Sequence, residues 1–173
     1  MAVLVQESHV PVTRSEVPWA LRQGIVGGVV AGLVFAAFEM IASAAMMGAD
    51  AFFMPLRMIG AIVLGPGALE PGYSVWAAGV AGVVVHVILA MIYGVALAIL
   101  LGGLRSATWE ISLGGLYGLS LWLLNFYVIA PMAFPWFLES STLVQFIAHT
   151  FFFGAVLGWY VGWARSRAAI ASI

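Results

Sequence analysis

The sequence predicts an all-α polytopic membrane protein, a four-transmembrane-helix bundle built from two parallel helical-hairpin repeats. Of 173 residues, 64% are hydrophobic and 8% charged, against roughly 45–50% apolar and about 25% charged in a soluble domain. Four apolar runs, near residues 21–47, 73–101, 109–133 and 142–164, reach the roughly 20 residues that a helix needs to cross a hydrocarbon core. None alternates with a period of two, as a barrel strand does.

Taken in order, residues 1–19 carry Pro11, Pro18 and scattered polar groups without an apolar period, and read as a tail before the membrane domain of residues 20–167. The first apolar run follows Glu7, Arg14 and Glu16 and is too long for the h-region of a secretory signal, so it is expected to remain as a span. Between the first two spans, residues 52–64 are apolar but too short to cross, and Gly65-Pro66-Gly67 ends them. An interfacial or re-entrant helix is expected there. A helix lying on the leaflet is the preferred form, because a re-entrant one must be buried in protein to satisfy its backbone. Residues 168–173 form a second tail.

Five of the six arginines (Arg14, Arg22, Arg105, Arg165 and Arg167) flank one end of the spans, and only Arg57 falls at the other. Basic segments resist translocation, so both termini are expected in the cytoplasm of an inner-membrane protein. Trp19, Trp109, Trp159 and Trp163 mark the inner interface, and Trp76 and Trp136 the outer one. With no Lys and a net charge of −1 the chain has no basic face for nucleic acid. With no Cys it has no disulfide, thiolate nucleophile or Cys-type metal site.

Two features suggest the repeat. Placing Gly28 on Gly114 also pairs Gly32 with Gly118 and Glu39 with Asn125, and spans two and four share an intramembrane histidine (His86, His149) and a similar basic end, 102–106 and 162–166. At 100° per residue Gly28 and Gly32 fall within about 20° of Glu39, and Gly114 and Gly118 within about 20° of Asn125. Gly24, Gly28, Gly32, Gly114 and Gly118 are therefore candidates for close helix packing, as are Gly154, Gly158 and Gly162 on a face turned away from His149, which must meet another helix or another copy.

Glu39, Asn125 and His149 lie roughly 10–12 Å below the outer ends of their spans and His86 about 18 Å below, at 1.5 Å per residue. The first three define a polar layer with His86 beneath it, and Gln145 and Tyr93 are further candidates. Polar groups in hydrocarbon are costly and mark ion or proton paths unless they serve as interhelical glue. The leading expectation is a layer that binds or relays a proton or small cation. The alternatives are an accessory subunit of a membrane complex, or a redox protein holding haem b between His86 and His149 or a metal at Glu39, His86 and His149. A shared haem needs both rings at one depth, whereas counting along the helices separates them by about 8 Å. No cofactor is therefore expected. Met40, Met46, Met47, Met54 and Met58 suit soft metals but also ordinary packing, which is preferred. There is no catalytic constellation or phosphate loop, so the chain is expected to be non-enzymatic. Expected partners are the bilayer and either copies of the chain or a membrane complex.

The order of features resembles the small four-span inner-membrane proteins of the YagU type: Gly-rich span one with Glu39, span two with His86 and Tyr93, Trp109 before Gly114, Gly115 and Gly118, then Pro131, Glu139, and His149 ahead of Arg165 and Arg167. The resemblance covers most of residues 20–167. It implies an inner-membrane location and a loose link to acid tolerance.

Overall fold

The computed structural model describes residues 16–102 and 107–170. The helices are α1 (Glu16–Met47), α2 (Met54–Leu64), α3 (Val75–Leu100), α4 (Ala107–Leu124), α5 (Ala130–Ala133), α6 (Thr142–Ile147) and α7 (Val156–Ile170). π-helical turns at Asn125–Ile129 and Ala148–Ala155 join α4 to α5 and α6 to α7. Four stretches, Val17–Met47, Val75–Leu100, Trp109–Ala133 and Thr142–Ile170, are long and apolar enough to cross a membrane. The chain is an integral membrane protein, and among its described residues there is no strand.

The first and last spans outrun their apolar cores. Pro18 lies in the first turn of α1, where its missing N–H breaks no helical bond, and α7 continues through Arg165 and Arg167 to Ile170. Arg14 and Arg105 lie outside the described residues. Gly48 and Gly65 end α1 and α2 with φ of 97° and 82°, a region that side chains other than glycine rarely enter. Ser74 and Ser141 cap α3 and α6, accepting from the amides of Ala77 and Val144.

Glycine contacts define the two hairpins. A Cβ on Gly94 would overlap the Gly24 carbonyl and the Gly28 backbone, and one on Gly28 the Ala90 carbonyl. In the second hairpin a Cβ on Gly158 would overlap the Glu110 carbonyl and crowd the Gly114 backbone, and one on Gly114 the Gly154 carbonyl. Gly24, Gly28 and Gly32 thus correspond to Glu110, Gly114 and Gly118, while Ala90 and Gly94 correspond to Gly154 and Gly158. Both hairpins run the same way, and the first-to-third-span pairing is the one the sequence suggests. Between spans two and four the packing register is one helical turn away from the match of 102–106 with 162–166, of which 103–106 lie outside the described residues. The Gly154, Gly158 and Gly162 face is filled by α4 of the same chain, so it is not free for a second copy.

The hairpins meet where α1 crosses the fourth span. Phe38 stacks on Phe152 with centroids 4.0 Å apart, and a Cβ on Gly27 would meet Tyr160 and Leu157. Leu97, Leu101, Leu157 and Val161 fill the arginine-rich half of the bundle. The outer surfaces stay apolar, with Trp76 80% and Met132 83% exposed, as expected where lipid replaces water.

The 48–72 segment departs from the preferred expectation of a helix lying on the leaflet. α2 runs antiparallel along α3: the Leu56 carbonyl abuts Gly82, and Gly60 abuts the Ala78 carbonyl. Gly82 is seven residues into α3, so Leu56 lies about 10 Å below that helix's start. Small residues make the difference, because Gly60, Ala61, Ala78 and Gly82 let the two backbones touch. α2 thus becomes a wall of the bundle. Trp136, expected at the interface, donates its indole N–H to the Met58 carbonyl at 3.0 Å and ties the 135–139 turn to α2.

Candidate functional site

At the α2 end of the bundle lies a cavity of about 780 Å³, bounded by α1, α2, α3, the Asn125–Ile129 turn, the 135–139 turn and the fourth span. Glu39, His86, Tyr93, Asn125, Gln145 and His149 all line it. The six polar candidates therefore line one space.

Glu39 is 5% exposed and Gln145 7%. The Gln145 side-chain N–H donates to Glu39 Oε2 at 2.8 Å, while Glu39 Oε1 is buried and has no hydrogen-bond partner. His149 donates Nδ1–H to the Gln145 backbone carbonyl at 2.9 Å, so Gln145 contacts both Glu39 and His149. His86 donates Nε2–H to the Gly32 carbonyl at 2.8 Å. These carbonyl partners set the tautomers. Asn125 faces the Tyr93 hydroxyl rather than Glu39, and Tyr117 donates to the Tyr93 carbonyl at 3.1 Å, tying α4 to α3.

Phe35 stands between the histidines, its ring centroid 5.5 Å from His86 and 4.9 Å from His149. His86 thus abuts the layer rather than occupying a separate tier, because tilted, crossing helices do not keep depths counted from their ends. An iron held by both rings would need the place of the Phe35 phenyl. Among the described residues no three His, Asp or Glu side chains gather as metal ligands, so Glu39, His86 and His149 do not form one ligand set.

Asn125 and His149 both sit in π-helical turns, which widen the helix and redirect side chains. Pro131 accounts for the first, since it offers no N–H to the Tyr127 carbonyl one turn earlier and its ring crowds that group. The sequence signal for these turns was limited to that proline.

Methionine dominates the rim. Five of the eight methionines, Met40, Met46, Met47, Met54 and Met58, line the cavity, where flexible thioethers adapt to irregular apolar shapes. Arg57 is not among the lining residues and donates instead to the Ala68 and Glu70 carbonyls, 3.0 Å each. At the opposite end Arg165 pairs with Glu110 (3.6 Å), donates to the Leu101 carbonyl (2.9 Å) and lies 5.0 Å over the Trp19 ring. Sequence reading missed this pair; its only signal was one acid and one arginine at the same end of neighbouring spans.

No family model, curated protein or solved structure matches the chain.

Proposed function

We propose that this membrane protein binds a small, chiefly apolar molecule in the cavity and holds the molecule's polar end at Glu39. The observation that carries this reading is the unpartnered Glu39 Oε1 in the wall of a 780 Å³ space. A buried polar atom without a partner is costly, and an apolar cavity of roughly 300–1,000 Å³ with a few convergent polar groups has the make-up of a ligand site. By the arginine distribution the α2 end and the cavity's rim face the outside, with the termini in the cytoplasm of an inner membrane.

Proton or small-cation handling is the second reading, favoured by the same free carboxylate oxygen beside Gln145 and His149. In that case water entering the cavity links the groups.

Titration with pyrene distinguishes a filled cavity from surface adsorption. Energy transfer from tryptophan, Trp136 being in the wall, is expected to saturate near one pyrene per chain. Ala36→Phe, which fills part of the space, should weaken that transfer at least tenfold while the helical signal persists. Non-saturable binding, or binding indifferent to Ala36→Phe, overturns the proposal.

A further inference from the structure

The cavity's chemistry goes further, to the class of ligand, and this step rests on the reading just proposed. Among the described residues no arginine or lysine lines it, and the charged residues that do, Glu39 and Glu139, are both acidic. Several of the polar groups have also spent a donor on the protein. His86 and His149 each give one N–H to a backbone carbonyl, which leaves the second nitrogen of a neutral ring as an acceptor. Ser43 donates its hydroxyl hydrogen to the Ala51 carbonyl at 2.8 Å. Glu39 Oε1 has no donor from the protein. Beside the Asn125 and Gln145 amides and the Tyr93 hydroxyl, which also line the space, the protein leaves open acceptors at Glu39 and the two histidines, within aromatic walls that include Phe35, Phe126 and Trp136.

We infer that the ligand is a lipophilic amine, carried as its ammonium ion, whose N–H groups reach Glu39 Oε1 and whose apolar body lies along the methionine and aromatic walls. Three physical terms favour it. The ammonium supplies the donor that Oε1 lacks, through a charge-assisted hydrogen bond. Its charge offsets that of the carboxylate within a largely apolar wall. The ring faces add cation–π attraction. A fatty acid or phosphate ester meets no cation in the wall, and a bare metal ion meets no gathered ligand set.

Calorimetric titration of the protein in a neutral maltoside detergent tests this with four probes sharing an eight-carbon chain: octylamine, octyltrimethylammonium, octanol and octanoate. Octylamine is expected to bind at least tenfold tighter than octanol. Octyltrimethylammonium, which has the charge but no N–H, should fall between them, and octanoate should bind most weakly. Glu39→Gln should bring octylamine down to the level of octanol. If octanol or octanoate binds as tightly as octylamine to the unaltered protein, the amine assignment is overturned while the cavity reading stands. If none of the four binds and pyrene does not saturate either, both fall. The comparison of head groups on the unaltered chain needs no variant, so it decides the question even where Glu39→Gln misfolds.

Discussion

Gly158→Leu should abolish the folded bundle. A Cβ at residue 158 would overlap the Glu110 carbonyl oxygen and lie 3.1 Å from the Gly114 Cα. These are backbone atoms of a packed helix that cannot rotate aside, unlike the tip of a flexible side chain. Overpacking in a core that can relax costs about 1–3 kcal/mol. Here α4 and α7 must separate along their whole seam, losing the contacts at Gly114, Gly154 and Gly162 together, so the loss should exceed that range. Gly79→Leu is the control, because a Cβ there meets nothing within 4 Å. Denaturation in mixed micelles should show Gly79→Leu close to the unaltered protein and Gly158→Leu without a cooperative transition. A cooperative Gly158→Leu protein with an unchanged midpoint would contradict the helix seam described above.

The second large effect is expected at the arginine-rich end. Glu110 is 2% exposed, and Arg165 joins it to the Leu101 carbonyl and the Trp19 ring, so one guanidinium ties together the four spans. Arg165→Met keeps most of the apolar stem but leaves the carboxylate without its cation. Removing one member of a buried pair typically costs about 3–5 kcal/mol, chiefly because the other is left uncompensated; a site near the end of the bundle belongs at the low end, about 3 kcal/mol. The double variant Glu110→Gln with Arg165→Met should recover a large part of that loss, since it removes the stranded charge. A single variant as stable as the starting protein, measured by the same denaturation, would show that the pair contributes nothing to holding the spans.

The four spans were legible because apolar length alone decides them. Glycine spacing likewise revealed which faces of spans one and three pack closely, since a small-xxx-small run has few other uses in a membrane helix. The cavity was less legible, for identifiable reasons. Helices apolar on all sides carry no amphipathic signal of which side faces lipid, and the short apolar length of α2 does not record that Gly60 and Gly82 let it pack along α3. The π-helical turns at Asn125 and His149 change side-chain direction locally, which a constant 100° per residue cannot reproduce. Glu39 and His149, which counting along the spans puts at a similar depth, both line the cavity. That Gln145 contacts Glu39 depends on side-chain reach, which spacing along the chain does not record.

Photolabelling in lipid vesicles tests the central claim, that a ligand enters this cavity and rests at Glu39, most directly. An octylamine carrying a diazirine on its chain, activated at low concentration and mapped by mass spectrometry, should label cavity-wall residues such as Met40, Ile59 and Phe126. Excess octylamine should suppress that labelling, as should Glu39→Gln. Labels confined to lipid-facing residues such as Leu33, Ile41 and Met132, unchanged by competitor or by Glu39→Gln, would contradict the account.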